Sequence, residues 1–302
     1  MSSRPLRSLH SPHLRLDFLS AGGPRLVGLY LTGSTENLLA ETPDVAWDTP
    51  HGVYHLIGGH RLWLAPESFL YTAIPDDLGL GVTEIGDDPG TGLRLTQPPD
   101  STTRISRSID ILLDSTRPAL TLTHRLVNVG TQPFTCAAWP ITQLPLGGIA
   151  LLPFFTRNVE PNGLQPNRSL VLWPYTHWND SRLHICDIGC LLHGISLSAA
   201  CKIGSFNRSG WLGYFWKDFF FCKHFSHQDN LVYTDQMCNA ELFVKDRFVE
   251  LESLSPLVTI KPGGSYTHVE NWEIHRLPNP LDLSASAETL FALADKLISA
   301  AL

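Results

Sequence analysis

The first part of the stretch from Lys245 to Ile274 alternates, with successive side chains on opposite faces, the period of a β-strand. Val249 and Leu251 point one way, and Phe248, Glu250 and Glu252 the other. The two carboxylates then sit about 7 Å apart on one face, at roughly 3.3 Å of rise per residue. At that separation each raises the proton affinity of the other once the face is partly desolvated. Lys261-Pro262-Gly263-Gly264 supplies turn chemistry, and a second run follows from Ser265 to Ile274. The pattern predicts a β-hairpin with acid on one side. A solvated face of an ordinary antiparallel sheet gives the same alternation, so the pattern alone leaves both readings open.

The rest of the chain repeats this short-strand rhythm. Leu14 to Leu19 and Arg25 to Leu31 form strands around Gly22-Gly23-Pro24. After Trp47 and a loop carrying His51 and His55, the stretch Gly58 to Glu67 sets His60, Leu62 and Leu64 opposite Arg61 and Trp63. Further strands are expected at Leu80 to Ile85, Gly92 to Thr96, Thr103 to Leu113, Ala119 to Asn128, Phe134 to Leu144 and Ile195 to Ala199. Turns separate them at Asp87 to Gly90, Gln97 to Asp100 and Ser115 to Pro118. The aromatic-rich run Phe215 to Phe225 reads as core. Near Cys238, alternation puts Asn239, Glu241 and Phe243 on one face, a third carboxylate able to join the pair. Only the C-terminus is helical in pattern, over about residues 284–300, with Leu290, Leu293, Ala294 and Leu297 as its stripe. The expected class is all-β, an antiparallel sandwich or barrel with strands over about residues 14–275 and a C-terminal helix on the outside of the sheets.

Composition narrows the function. The 302 residues are 43% hydrophobic, and 23 glycines with 22 prolines cut them into short segments without a linker-like block, so one domain spanning 1–302 is expected. A formal charge of −7 with scattered Lys and Arg disfavours nucleic-acid and anionic-membrane partners and fits a neutral or cationic small ligand. No window is long and apolar enough for a membrane helix, and the N-terminal segment lacks a signal-peptide core. Six cysteines without a C-x-x-C pair read as buried reduced thiols, consistent with a cytoplasmic protein. His224/His227 and His51/His55 have metal-like spacing but no third ligand nearby, and the phosphate-binding glycine fingerprint is missing, so neither metal nor cofactor is expected.

Candidate chemistry gathers in a few places. Gly58-Gly59 running into His60, Arg61, Trp63 and Glu67 has ligand-site composition: an indole stacks on apolar sugar or base faces while Arg and carboxylate fix polar groups. A structural Trp with a surface ion pair would have the same sequence. Leu122 to Asn128 with Phe134 to Leu144, then Val249-Glu250-Leu251-Glu252-Ser253, then Lys261 to Tyr266 together resemble the galactose mutarotase-like (aldose 1-epimerase) superfamily. Gly58 to Glu67, Leu172-Trp173-Pro174-Tyr175 and Glu250 to Pro256 are similar to a branch of uncharacterised domains within it.

The resemblance implies an antiparallel β-supersandwich with a carbohydrate cleft on its concave face. It implies that Glu252 is the base that takes a proton from the anomeric hydroxyl while an acid protonates the ring oxygen. Where the superfamily places a catalytic histidine this chain has Trp139, and an indole transfers no proton at neutral pH. His60, His224 or Lys202 would have to supply the acid, or the site binds sugar without turnover. The candidate set is therefore Glu252 as base, with His60, Arg61, Trp63, Glu67, Trp139, Gln143, Lys202, Glu241 and Glu250 as substrate contacts. A non-catalytic recognition module and a glycoside-processing enzyme using Glu250 and Glu252 are the alternatives, the latter because their spacing falls in the roughly 6.5 to 9.5 Å range of inverting hydrolysis. The identity of the sugar, and the oligomeric state, stay open.

Overall fold

The computed structural model describes residues 4–76, 79–86 and 92–300; the turn expected at Asp87 to Gly90 lies outside them. In chain order the strands are β1 (Leu6–His10), β2 (Leu14–Leu19), β3 (Arg25–Leu31), β4 (Glu41–Thr49), β5 (Gly52–Gly58), β6 (His60–Ala65), β7 (Gly81–Glu84), β8 (Gly92–Gln97), β9 (Ile105–Leu113), β10 (Ala119–Asn128) and β11 (Phe134–Pro145). They continue as β12 (Ile149–Pro153), β13 (Val171–Leu172), β14 (Leu183–Cys186), β15 (Gly189–His193), β16 (Cys201–Ser205), β17 (Trp211–Trp216), β18 (Phe219–Phe225), β19 (Ala240–Lys245), β20 (Phe248–Ser253), β21 (Val258–Ile260) and β22 (Ser265–Arg276). One sheet runs β1-β2-β3-β6-β11-β20-β19-β16-β13, with β21 paired to β11; the other runs β14-β15-β12-β17-β18-β22-β10-β9-β8-β7. All pairings are antiparallel. The all-β antiparallel class read from the sequence is the class observed.

The two sheets enclose one continuous apolar core, with Leu62, Leu64, Leu144, Leu242, Val249 and Leu251 from the first meeting Leu95, Ile109, Leu122, Leu126, Phe221 and Trp272 from the second. The strand β10 shows the ordinary half-buried pattern, Leu120, Leu122 and Leu126 inward and Thr121, Thr123 and Arg125 less buried. By contrast, all six residues of β6 and all six of β20 are buried. Their second face is covered by a two-stranded hairpin, β4-β5, whose Tyr54 and Leu56 pack with Trp63, Trp139, Ile141 and Phe248. Arg25, fully buried, clamps this hairpin: its Nη1 donates to the Leu56 carbonyl at 2.5 Å, its Nη2 to the Tyr54 hydroxyl and its Nε to Asp76 at 3.1 Å. The C-terminal helix (Ala287–Ala300) lies on the outer face of the second sheet, where Leu290, Phe291 and Ala294 meet Ile149, Leu151, Trp211, Phe215 and Phe220.

Three expectations need correction. Lys245 to Ile274 is not a hairpin: β20 and β22 lie in opposite sheets, because after Leu254 to Leu257 the chain pairs again with β11 through β21 and only Lys261 to Gly264 turns it into the second sheet. The hairpin partner of β20 is β19, across Asp246-Arg247. The loop expected around His51 and His55 is the β4-β5 hairpin, with His55 opposite Ala46. Ile195 to Ala199 is no strand; it is an exposed link into β16.

Between the sheets lies a polar network whose hydrogen bonds fix every tautomer. The His268 carbonyl can only accept, so His124 Nδ1 donates to it at 3.2 Å. In a neutral ring His124 Nε2 is then an acceptor, and His60 Nε2 donates to it at 2.8 Å. His60 Nδ1 in turn accepts from Thr142 Oγ1 at 3.0 Å, which accepts from Lys223 Nζ at 3.2 Å. Ser253 Oγ donates to Glu270 at 2.6 Å and accepts from His268 Nε2 at 2.8 Å. Lys223 Nζ and Glu270 form an ion pair at 2.7 Å, both side chains fully buried. Burial drives the three imidazoles toward neutrality, His60 well below its usual value, His124 to about 4 and His268 to about 3. Burial pushes Glu270 up, but Lys223 and the surrounding imidazoles more than offset it, leaving the carboxyl well below its usual range.

This arrangement sets an acid limit on stability. Above pH 6.5 the three histidines are neutral folded and unfolded; below it the unfolded chain binds protons that the native core refuses. Stability is expected to fall by up to about 4 kcal/mol per pH unit for three such groups, until His124 and His268 themselves titrate near 4 and 3. Denaturant unfolding at half-unit steps from pH 7 to 4.5 checks this, and an unfolding free energy that stays flat across the window contradicts it.

Candidate functional site

The outward faces of β6, β11, β20, β19 and β16 form the floor of a cleft of about 490 Å³. Strand register decides which side chains meet there. Trp63 pairs across to Trp139, Arg61 to Ile141, Ile141 to Glu252, and Glu252 to Glu241; one step along, Gln143 pairs to Glu250, Glu250 to Phe243, and Phe243 to Lys202. Because side chains alternate, this face carries the charged and indole groups while the intervening residues enter the inter-sheet core. Loops complete the cleft with Glu67 after β6 and Tyr175 after β13, and the β4-β5 hairpin adds Val45, Trp47 and Leu56.

Glu252 is fully buried and sits at the centre. Its Oε2 accepts from Trp139 Nε1 at 2.6 Å and from Lys202 Nζ at 2.9 Å. Its Oε1 has no partner among the described residues. The Lys202 ammonium also pairs with Glu241 at 2.7 Å and lies 4.8 and 4.6 Å from the ring centres of Trp139 and Trp173. Burial works against the charge on Lys202, but Glu241 and Glu252 overcome it and hold the ammonium protonated well above its usual range. Glu241 has its proton affinity pushed well up, by burial first and then by Glu252, against the pull of Lys202.

A second pair stands beside the first. Arg61 Nη2 donates to Glu250 Oε1 at 2.9 Å, Gln143 Nε2 donates to the same oxygen at 2.8 Å, and the guanidinium lies 4.2 Å above the Trp63 ring. Arg61 Nε and Nη1 are buried without a partner among the described residues. Burial also raises Glu250, opposed by Arg61. Glu67 stands exposed at the mouth, its proton affinity raised by partial burial and by Glu252 and Asp235, with Lys202 opposing.

Of the sequence-derived candidates, Arg61, Trp63, Glu67, Trp139, Lys202, Glu250 and Glu252 line the cleft. Gln143 and Glu241 lie beneath it, bonded to Glu250 and Lys202. His60 is a correction: it faces the opposite side of β6, in the inter-sheet network, because it alternates with Arg61. His224, one of the proposed acids, lies on the second sheet near Glu273, 3.9 Å away. Neither histidine reaches the cleft, and no histidine lines it among the described residues. Sequence reasoning missed Trp47, Phe248 and Tyr175 as lining residues. Phe248 shares the Glu250 and Glu252 face and was legible by alternation, whereas Trp47 and Tyr175 arrive from hairpin and loop through tertiary contact.

One group has metal-like spacing: ligand atoms of His60, His124 and Glu270 lie within 4.8 Å of one another. Every one of them already has a protein partner, and Lys223 supplies the positive charge beside Glu270. These residues do not call for an ion.

No family model matches the chain, and no curated protein does. Solved structures match along nearly its whole length. The Slr1438 protein of Synechocystis sp. PCC 6803 aligns over 91% of this chain and 99% of its own with a TM-score of 0.56 at 12% identity. A protein of Escherichia coli K12 provisionally named an aldose 1-epimerase aligns over 90% and 99% with a TM-score of 0.53 at 14% identity. Salmonella typhimurium YeaD, provisionally named a mutarotase, aligns over 90% of both chains with a TM-score of 0.54 at 12% identity. The chain has the galactose mutarotase-like fold. The cleft lies on the first sheet, with Glu252 on β20, next to the central strand β11.

Because one ammonium holds two buried carboxylates, its removal has a defined cost. Lys202→Met is expected to destabilise the protein by about 3–5 kcal/mol, the usual penalty for an uncompensated buried charge. Adding Glu241→Gln to that variant should recover part of the loss in thermal or urea unfolding. A single variant as stable as the parent contradicts the pairing.

Proposed function

We propose that the protein binds a carbohydrate in this cleft, with Glu252 the residue that meets the anomeric hydroxyl. The observation that carries this reading is the half-satisfied Glu252: Trp139 and Lys202 hold Oε2, and buried Oε1 is left for a ligand. Arg61 offers unpaired N–H donors beside it, and Trp63 and Trp139 offer apolar plates. A sugar matches that set, since its hydroxyls both donate and accept while its C–H faces pack on indole. A cleft of about 490 Å³ accommodates a small sugar. Several structures sharing the fold carry sugar-epimerase or mutarotase names, which points the same way.

Anomer exchange would use Glu252 Oε1 as base and needs an acid at the ring oxygen. Of the three acids considered, only Lys202 is in the cleft, and its strongly held proton makes it a weak donor to a ring oxygen at neutral pH. That observation favours the second reading, recognition without turnover. Glycoside hydrolysis is disfavoured because Glu250 is engaged by Arg61 and Gln143 and shares one strand face with Glu252.

Anomer exchange followed by NMR or polarimetry over an aldose panel separates these readings. If the protein is a mutarotase, Glu252→Gln should return exchange to the buffer rate. If it is a recognition module, no sugar exchanges faster than in buffer, and the same substitution weakens binding by about 1–3 kcal/mol, the cost of one hydrogen bond to a charged group. Unaltered binding by Glu252→Gln removes Glu252 from the site.

A further inference from the structure

Resting on the carbohydrate reading, the charge balance of the cleft narrows the ligand. The floor and mouth of the cleft carry Glu67, Glu250 and Glu252, with Glu241 beneath, against Arg61 and Lys202, and the rim adds Lys245, Asp246 and Arg247. Arg61 is matched by Glu250, and Lys202 is shared between Glu241 and Glu252. Glu67 has neither an ion-pair nor a hydrogen-bond partner among the described residues, and Glu252 keeps one oxygen open. The rim leaves the balance unchanged: Arg247 pairs with Asp44, and exposed Lys245 and Asp246 contribute one charge of each sign.

The walls between these acids are aromatic, with Trp47, Trp63, Trp139 and Tyr175 all lining the cleft. Ring faces attract cations through their quadrupole, and a site that combines them with surplus carboxylate selects positive charge. The protein already seats one ammonium this way, Lys202 between the Trp139 and Trp173 rings. An anionic sugar would meet the opposite field, since both cations are already neutralised.

We propose that the cleft takes a cationic carbohydrate, an amino sugar with a free ammonium group, with the ammonium directed to the surplus carboxylates Glu67 and Glu252. Burial is the first cause of the raised proton affinities of Glu67, Glu241 and Glu250, and the negative charge of Glu252 acts in the same direction on all three. Asp235, close enough to act on both Glu67 and Glu241, adds to it.

Calorimetric titration at pH 6.5 with D-glucosamine and D-galactosamine, their N-acetyl forms, D-glucose, D-galactose, D-glucuronate and D-glucose 6-phosphate tests this. A free amino sugar should bind at least tenfold more tightly than its N-acetyl form, the acidic sugars should bind most weakly, and Glu67→Gln should shrink the tenfold preference. Glu67 is exposed and has no partner among the described residues, so its substitution spares the fold. Equal binding of amino and N-acetyl sugars, or tightest binding of an acidic sugar, overturns the charge inference and leaves the carbohydrate reading standing. Choline, a quaternary ammonium titrated alongside, separates the two claims: its binding with no response to any sugar sinks the carbohydrate reading and keeps the cation preference. Absence of binding by every amine overturns the proposal.

Discussion

A strand buried on both faces leaves no side chain free to dissolve its charge in water, and β20 is such a strand. From Phe248 to Ser253 every residue is buried, with Val249, Leu251 and Ser253 against the other sheet and Phe248, Glu250 and Glu252 toward the cleft. Two ionisable residues on such a strand oblige the neighbouring strands to supply partners. Arg61 on β6, Gln143 and Trp139 on β11, Glu241 on β19 and Lys202 on β16 are those partners or share them. The cleft is thus built sideways across five strands, each contributing what its register places opposite its neighbour.

The back of β20 is held as firmly as the front. Lys223 donates to the Leu251 carbonyl at 3.1 Å, and Ser253 joins Glu270 and His268. The network ties strands of both sheets together at the level of the candidate site, so Glu252 is fixed from behind by β18 and β22 as well as from its own sheet. Fixed groups lose little freedom when a ligand arrives, which favours precise recognition. The same network makes the fold sensitive to acid, because neutral buried imidazoles resist protonation only while the core stays closed.

The cleft joins three kinds of group that ordinarily satisfy one another: carboxylates, cations and indole N–H donors. Here the matching stops short. One oxygen of Glu252 and two nitrogens of Arg61 are left without partners among the described residues, although both residues are nearly or wholly buried. Unmatched buried polar atoms cost stability unless something else completes them. Their concentration in one aromatic-lined cleft is the physical reason for placing a polar ligand there.

Alternation by itself determined much of this. The two-residue period assigned Glu250 and Glu252 to one face of a strand, added Glu241 and Phe243 to one face of another, and separated Arg61 and Trp63 from His60, all of which the register respects. It determined the antiparallel all-β class and the outer helix for the same reason: local periodicity reports which side of an element meets apolar surroundings. Alternation does not say which buried face is the cleft and which the inter-sheet core, so it does not show that His60 faces the core. It also could not pair strands distant in sequence, and the run through Lys261 to Gly264 resembled a hairpin when it carries the chain from one sheet to the other. Only the tertiary structure brought Lys202 between Glu241 and Glu252, and Trp47 and Tyr175 to the cleft wall, because those contacts depend on sheet order and loop placement, which no local spacing encodes.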